Sequence, residues 1–519
     1  METLRRNRTL LITLAILAFL LFTAIQGLST RDWVITLLRG ISVGAITFLV
    51  ASGLSLIFGL LDVLNLAHGT LFMIGAYVGW TTYLRPDTLV DLLPPVLLLA
   101  AGLLLGPFWA ALVGRWRTSR TVSRAWPWAA LILAVALATL VFAQWPLARW
   151  DPAVAAQSPA TYSLQLDQAI KAGQARAAPA PAAQGGLLRL AGAFLGSALL
   201  ALGLAGFSAA RYGGAGKVTG APRRWALGAL LLVTGVGIYT GDAALTRFLF
   251  GLDTAWLFLI ALLVALVTGA ALGALMEITL IRPLYTRPIY QLMLTLGLGV
   301  SGIELVQAIW GRTEFNMPKP ALFQGSGAGC PATSIVDWLA NGCSTIDVLG
   351  GRIRTYNELF VILIGVIVLV AVSVLLQRSR LGMIIRAGVQ DSEMVEALGI
   401  NVRQVFTLVF ALGAALATLG GIIAAPSMGL SPLMGESLLL AALIALAIGG
   451  LTSFPGAAAG SLLVGLVQQF IIKYGQIGIR LPFLEQPFKP TPPLVPASTV
   501  LLMVIILLVL PQGLFGRKE

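Results

Sequence analysis

Hydrophobic stretches of about 20 residues recur along the whole chain, and a helix of that length crosses the hydrocarbon core of a bilayer. Backbone groups in hydrocarbon must bond to one another, so each stretch is predicted to be a helix. The pattern predicts about fourteen spans, with an error of about two. They lie near 9–27, 33–60, 68–84, 93–112, 126–145, 187–209, 225–241, 254–280, 290–310, 356–377, 404–424, 437–453, 456–474 and 497–511. The predicted fold is an all-α polytopic membrane bundle with discontinuous helices.

The composition agrees with this fold class and excludes a soluble one. Hydrophobic residues make up 58% of the 519 residues, charged residues 11%, and the mean hydropathy is +0.91. Soluble domains carry about 25% charged residues. Most of this chain therefore cannot form a water-soluble globular fold.

The net charge of +13 comes from small basic clusters between the spans rather than from one continuous patch. The clusters are Arg5, Arg6 and Arg8; Arg115, Arg117, Arg120 and Arg124; Arg211, Lys217, Arg223 and Arg224; Arg282 and Arg287; Arg378, Arg380 and Arg386; and Arg517 and Lys518. Because basic loops stay in the cytoplasm, the clusters predict one cytoplasmic side that carries both termini. The loops 146–186, 311–355 and 475–496 fall on the opposite side.

The N-terminus has two interpretations. The basic residues 1–8 precede an apolar run at 9–22, which is also the arrangement of a cleaved signal peptide. No clear A-x-A cleavage site follows, so an uncleaved first span is the preferred interpretation. A signal peptide remains the alternative.

Candidate chemistry is nearly absent from the sequence. His68 is the only histidine, which excludes an H-E-x-x-H motif or a multi-histidine metal site. The segment 213–219 resembles a phosphate loop, but Arg211 stands at its first glycine position and Val218 at its hydroxyl position. We therefore expect no catalytic residues, no metal, no cofactor and no enzymatic activity.

Cys330 and Cys343 lie in one predicted outer loop and are either disulfide-bonded or free.

Two helices are predicted to break and restart within apolar sequence. The first break contains Asp62, Asn65, His68 and Gly69, and the second contains Thr452, Ser453, Pro455 and Gly456. Irregular backbone at membrane depth is tolerated only where it is buried in protein or lines an aqueous cavity, so both breaks are candidates for the translocation pathway. The helix that restarts near Gly69 would direct free N–H groups at the break, which favours a carboxylate or another polar acceptor there. The alternative is a tight turn at the inner surface.

Two further carboxylates stand inside predicted spans, where ionisable groups are usually functional. Glu277 lies close enough to Arg282 for a structural ion pair, which is the favoured interpretation. Glu304 has no evident partner, and its role stays open.

The basic loop 378–403 contains a predicted short helix at 391–398, and Gly399 stands where a glycine would end it. By pattern alone this could be a surface helix without a partner.

Several motifs resemble one family. They are GLSLIFG at 53–59, NLAHG at 65–69, GAY at 75–77, RPL at 282–284, the span 294–302, RLG at 380–382, LGINV at 398–402, GGLTSFPGA at 449–457 and PQGLFGR at 511–517. In this order they resemble the permeases of branched-chain amino-acid (Liv-type) ATP-binding-cassette transporters. The resemblance implies an importer with a second permease subunit, two cytoplasmic ATPase subunits that hydrolyse ATP, and an extracytoplasmic binding protein, in the cytoplasmic (inner) membrane.

In such an importer, the loop 378–403 would be the coupling helix that docks on an ATPase subunit. The residues expected to carry this role are Arg386, Asp391, Glu393, Glu396, Ala397, Gly399 and Asn401. Branched-chain amino acids are the expected solutes, with urea, short amides and other amino acids as alternatives. A passive channel or an ion-coupled carrier is the alternative of another class, and it would not need this loop.

The chain departs from the family in size. The predicted organisation is an extra N-terminal span at 1–32, a first part of the permease core at 33–84, an insert at 85–253 and a second part of the core at 254–519. The insert adds about four spans and an Ala/Pro-rich outer linker. An even number of added spans preserves the orientation of everything downstream.

Overall fold

The computed structural model describes residues 28–105, 109, 120–143, 165, 168, 187–212, 222–314, 316–390, 392–479 and 486–516. The predicted span 9–27 lies outside these residues, as does nearly all of the Ala/Pro-rich linker. The described chain is overwhelmingly helical, which confirms the predicted fold class. Its α-helices are α1 Thr30–Leu61, α2 His68–Leu84, α3 Asp87–Leu104, α4 Arg120–Ala143, α5 Leu187–Tyr212, α6 Pro222–Thr240, α7 Asp242–Phe250, α8 Thr254–Met276, α9 Pro288–Trp310, α10 Ile335–Asn341, α11 Val361–Arg378, α12 Arg380–Gln390, α13 Ser392–Ala397, α14 Val402–Met428, α15 Met434–Gly449, α16 Phe454–Ile477 and α17 Leu494–Val509.

Within the described residues, a helix stands at each predicted span. Eight helical segments are long and apolar enough to cross a membrane, or nine if the pair α6 and α7, bent by 73°, counts as one span. The prediction of about fourteen is larger because it includes the span 9–27, which lies outside the described residues, and several shorter helices. Among them, α2 has 17 residues and α15 and α17 have 16 each. A helix rises about 1.5 Å per residue, so these cover less than the full hydrocarbon thickness.

The chain divides into two compact units. The first comprises 1–80, 158–173 and 254–519, and the second comprises 81–157 and 174–253. The second unit begins and ends within a few residues of the predicted insert. In it, α3 packs against α5 and α6, and the Ser197 hydroxyl donates to the Leu98 carbonyl at 3.3 Å.

The core of the first unit is built where α1 packs against α14 and α16 through small residues. A Cβ on Gly44 would lie 3.0 Å from the Ser461 carbonyl oxygen of α16, and one on Gly413 would lie 2.7 Å from the Gly53 carbonyl oxygen of α1. Small residues let backbones approach this closely in membrane bundles. By contrast, α8, α9 and α11 expose large apolar side chains such as Leu263, Met293 and Val366. Those faces are suited to lipid or to other subunits.

One end of the first unit carries a small irregular layer, here called the hairpin end. Strands β1 Thr345–Val348 and β2 Gly351–Arg354 form an antiparallel hairpin with Ile346 opposite Ile353. Cys330 and Cys343 are joined in a disulfide beside this hairpin. A π-helical turn, Thr355–Phe360, connects β2 to α11, and its buried Glu358 pairs with Arg39 of α1 at 3.3 Å. The two cysteines are therefore disulfide-bonded, which is one of the two interpretations that the sequence left open.

The opposite end, here called the 378–403 end, carries α12 and α13. The predicted helix at 391–398 is present as α13, and Gly399 follows it with a φ of +81°. The Gly399 N–H donates to the Glu396 carbonyl at 2.9 Å and the Ile400 N–H to the Val395 carbonyl at 3.3 Å. These two bonds form a Schellman motif, which ends a helix at a left-handed glycine.

Candidate translocation site and coupling surface

The first break places the start of α2 beside the middle of α1. After Leu61 the chain turns at Asp62, which has a left-handed φ of 52°, and runs back along α1 as a non-helical connector, 62–67. His68 then lies with Nε2 3.1 Å from the Val50 carbonyl oxygen. Val50 precedes Leu61 by eleven residues, so α2 begins about 16 Å from the end of α1. The predicted discontinuous helix is therefore present, and it restarts beside the middle of α1.

Backbone and side-chain bonds hold the connector in place. The Asn65 Oδ1 accepts the Ala67 N–H at 3.1 Å, and the Leu66 N–H donates to the Thr295 hydroxyl of α9 at 3.3 Å. Because a carbonyl only accepts, His68 Nε2 must donate to Val50. Asn65 and His68 are both fully buried. Their side chains are therefore placed to fix the break.

The structure separates the polar residues predicted at this break. Asn65, His68 and Gly69 lie together beside the middle of α1. Asp62 is exposed and caps α1 at the 378–403 end, where its N–H donates to the Phe58 carbonyl.

The second break has the geometry of the alternative interpretation, a tight turn. Helix α15 ends at Gly449, Gly450 has a φ of +108°, and α16 begins at Phe454. The Ser453 hydroxyl caps α16 by accepting the Gly456 N–H at 3.2 Å. A Cβ on Gly59 of α1 would lie 3.4 Å from the Thr452 Cα, which places this turn beside the end of α1.

The second break also lies at a cleft of about 480 Å³ and next to the C-terminal motif. Thr452 lines the cleft together with Leu507 and Gln512. Ser453 is partly buried, Pro455 is exposed and Gly456 is buried against Gly449. The Leu514 and Phe515 N–H groups donate to the Ile448 and Gly449 carbonyls at 2.8 and 3.0 Å. Leu514 and Phe515 of the C-terminal motif therefore satisfy carbonyls that the end of α15 leaves unpaired.

A second cleft, of about 200 Å³, opens at the start of α2, and we call it the α2 cleft. Gly69 and Thr70 form its floor, and the Thr70 hydroxyl donates to the Gly299 carbonyl of α9 at 3.1 Å. Among the described residues that line it, Glu436, in the first turn of α15, is the only ionisable one. The remaining lining residues are Leu66, Leu296, Gly299, Val300, Ile303, Leu439, Leu440 and Leu443.

Sequence reasoning missed Glu436. The available signal was a single carboxylate at the start of a 16-residue apolar helix. Glu436 becomes a candidate functional residue because it lies beside the start of α2. That start comes from a segment more than 360 residues earlier in the chain.

The predicted ion pair of Glu277 is confirmed. Glu277 is fully buried in a π-helical turn, and Arg282 donates to both of its oxygens at 3.0 and 2.7 Å. Thr407 of α14 and Tyr285 also donate to the carboxylate, at 2.7 and 2.8 Å. Burial, followed by the hydrogen bond to Glu277, raises the pKa of the Tyr285 phenol above its usual range. Glu304 is exposed on α9 and does not line the α2 cleft.

The loop 378–403 forms an exposed surface of mixed character. Glu396, Ala397 and Gly399 are exposed, while the Asn401 side chain accepts the Gln404 N–H at 3.3 Å and caps α14. Arg386 is exposed on α12, and its Nε donates to the Gly382 carbonyl at 3.3 Å. Asp391 lies outside the described residues, as does the side chain of Glu393.

Large apolar side chains stand among these polar groups: Met383 and Met394 are each 63% exposed and Leu398 is 74% exposed. Among the described residues, no group of three or more His, Cys, Asp and Glu side chains could hold a metal ion.

Comparison with known proteins agrees with this architecture. A family model described as "Branched-chain amino acid transport system / permease component" matches residues 36–174 and 183–510. The high-affinity branched-chain amino acid transport system permease protein LivH of Escherichia coli K12 is 26% identical over 272 residues, which cover 52% of this chain and 78% of LivH.

The corresponding permease protein BraD of Pseudomonas aeruginosa is 28% identical over 287 residues, covering 55% of this chain and 83% of BraD. The fructose import permease protein FruF of Bifidobacterium longum is 26% identical over 258 residues, covering 47% and 63%. No solved structure matches the chain. The family match extends over most of the sequence, and the chain therefore belongs to the branched-chain amino acid transport permease family.

Proposed function

We propose that this chain is the permease subunit of an ATP-binding-cassette importer that moves branched-chain amino acids across the cytoplasmic membrane. The observation that carries the proposal is the start of α2 at mid-bundle depth, beside a cleft with an aliphatic wall. Half-helix starts of this kind bind the charged end of a solute in membrane transporters. The relatives LivH and BraD are named as branched-chain amino acid permeases, which supports the same solute class.

The energy for transport comes from partner subunits in this proposal. The complex contains a second permease subunit, two cytoplasmic ATPase subunits and an extracytoplasmic binding protein. The exposed surface of α12 and α13 is the contact for an ATPase subunit, because it combines charged groups with the large apolar side chains Met383 and Leu398. Apolar anchors surrounded by polar groups are typical of specific interfaces.

The orientation follows from the basic residues at the 378–403 end. Arg378, Arg380 and Arg386 belong to this end, and Arg282 lies near it through Thr407. With the positive-inside rule, these residues support an orientation in which the 378–403 end and both termini are cytoplasmic and the hairpin end is outside.

Reconstitution tests the proposal. The chain is assembled in proteoliposomes with and without its ATPase partners, and uptake of leucine, isoleucine and valine is measured with and without ATP. Uptake that requires both ATP and the ATPases supports an importer. Uptake without the ATPases indicates a channel or an ion-coupled carrier.

The solute is identified separately by thermal-shift measurements on the cognate binding protein. The screen includes the three branched-chain amino acids, other amino acids, urea, short amides and fructose. If only urea, short amides or fructose stabilise the binding protein, the proposed solute is wrong.

A further inference from the structure

Glu436 places a carboxylate at the depth where α2 begins. Its neighbour Gly435 packs directly against Gly69, so the first turns of α15 and α2 lie at one level. That level is about 16 Å from the end of α1, a distance of about half the thickness of a hydrocarbon core of about 30 Å.

No described residue of the chain pairs with this carboxylate. The ion pairs of the first unit join Arg39 to Glu358, Arg282 to Glu277 and Lys473 to Asp32, and none includes Glu436. An ionised side chain at the centre of a membrane helix is energetically unfavourable unless it is paired or hydrated. Glu436 is exposed and lines the α2 cleft, so a cation from outside the chain can reach its carboxylate.

The α2 cleft around Glu436 has the shape and chemistry for a small aliphatic zwitterion. Its wall is formed by leucine, valine and isoleucine side chains of α9 and α15, including Leu296, Val300 and Leu440. An enclosed apolar cavity of about 150 Å³ holds benzene, so an open cleft of this size admits a solute as large as leucine.

The first turn of α2 contributes partial positive charge to the same cleft. The backbone N–H groups of Gly69 and Thr70 lie in the first turn of α2 and have no hydrogen-bond acceptor among the described residues. The first turn of a helix carries partial positive charge from such groups.

We propose that Glu436 binds the ammonium group of the transported amino acid. The aliphatic side chain of the solute then packs against the apolar wall, and its carboxylate faces the first turn of α2. The inference rests on the proposed function and adds the residue that selects an amino acid over an uncharged or anionic solute. Sugars, urea and 2-hydroxy acids lack the cation that Glu436 would pair with.

The first test measures leucine uptake by the complete complex in proteoliposomes with Glu436→Gln, and with Glu304→Gln as the matched control. Glu304 is also an exposed carboxylate in a spanning helix, but it does not line the α2 cleft. We expect Glu436→Gln to lower uptake about tenfold or more, as for loss of a charged hydrogen bond. Glu304→Gln should stay within about twofold of the wild type.

Complex assembly is checked by size-exclusion chromatography for each variant. Unchanged leucine uptake by Glu436→Gln would overturn the inference. Loss of the assembled complex in this variant would also overturn it, because Glu436 would then pair with a cation of a partner subunit.

The second test uses a reporter thiol and does not depend on transport. The two cysteines of the chain are joined in the disulfide, so Leu440→Cys introduces a single reactive thiol into the cleft. Leucine should protect this thiol from a maleimide, whereas 2-hydroxyisocaproate, which carries a hydroxyl in place of the ammonium group, should not. Protection should disappear in the double variant with Glu436→Gln.

Equal protection by both compounds, or none by leucine, would contradict the role of Glu436. A wild-type complex that transports a different solute would instead contradict the proposed function, so the two failures are distinguishable.

Discussion

Gly69 and Gly435 pack backbone against backbone, and a Cβ on either residue would overlap the carbonyl oxygen of the other. The contact joins the first turn of α2 to the first turn of α15. Both turns line the α2 cleft, so the geometry of the cleft depends on the absence of side chains at these two positions.

The first prediction concerns this contact. Gly435→Ala forces the two backbones apart, and overpacking of this kind costs about 1–3 kcal/mol. Gly297→Ala is the matched control, because Gly297 is exposed in α9 and a Cβ there meets nothing within 4 Å. Thermal unfolding of the detergent-solubilised chain should show a lower Tm for Gly435→Ala and an unchanged or higher Tm for Gly297→Ala. Equal Tm values would show that the contact is not needed.

The sequence predicted both helix breaks but not their different depths. Six extended residues cover about 20 Å, so the connector 62–67 can retrace the last eleven residues of α1, which rise about 16 Å. At the second break, Gly450 ends one helix and Ser453 caps the next, which are local signals of a tight turn. The depth of the first break depends on long-range contacts, namely those of His68 with Val50 and of Leu66 with Thr295, which no local pattern contains.

The second prediction concerns the residues that fix the first break. Asn65→Leu removes the acceptor for the Ala67 N–H, and His68→Leu removes the donor to Val50. Asn65→Leu leaves the buried Ala67 N–H without its acceptor, and His68→Leu removes the bond that ties the start of α2 to α1, so we expect lower uptake by the reconstituted complex. Membrane insertion should persist, since leucine preserves the hydrophobicity of the segment. Full uptake by both variants would refute this role.

The third prediction compares a buried ion pair with an exposed one. Glu277 is fully buried whereas Arg282 is 31% exposed, so Glu277→Gln leaves a partly exposed charge without its partner and should cost about 1.5–3 kcal/mol, as for hydrogen bonds to a charged group. Lys473→Met breaks the pair with Asp32, whose side chains are 22% and 37% exposed, and should cost about 1 kcal/mol or less. Denaturant unfolding of the solubilised chain measures both. A similar loss for the two variants would contradict a structural role for the Glu277 pair.

The Glu277 pair also shows which contacts the spacing of residues along the sequence can predict. A carboxylate and an arginine five residues apart predicted the pair, and the π-helical turn at Glu277–Ile281 brings these positions onto one face. The sequence could not predict the turn, nor the donors Thr407 and Tyr285. The same limit applies to Glu436, whose neighbours across the α2 cleft come from two other segments of the chain, 66–70 and 296–303.

The fourth prediction tests the coupling surface. Gly399→Trp places a β-carbon where φ is +81°, and Glu396→Arg reverses an exposed charge beside it. We expect both variants to abolish ATP-driven uptake while the binding protein still captures its solute. Gly399→Asn is the matched control, because asparagine also adopts the left-handed conformation at helix ends, and it should retain uptake. Unchanged uptake with Glu396→Arg and Gly399→Trp would refute docking at this surface.

The fifth prediction uses the disulfide to establish orientation. Disulfides persist in oxidising compartments, so the Cys330–Cys343 bond indicates that the hairpin end faces outward. A membrane-impermeant phosphine added to intact cells should expose both thiols to a maleimide, and without it neither should react. The apolar segment Thr355–Arg378 is long enough to span the membrane once, so an outward disulfide requires residues 378–403 to be cytoplasmic, on the side where ATPase subunits reside. If the disulfide is reduced only after cell lysis, the hairpin end faces the cytoplasm. Residues 378–403 then lie outside and cannot contact the ATPase subunits.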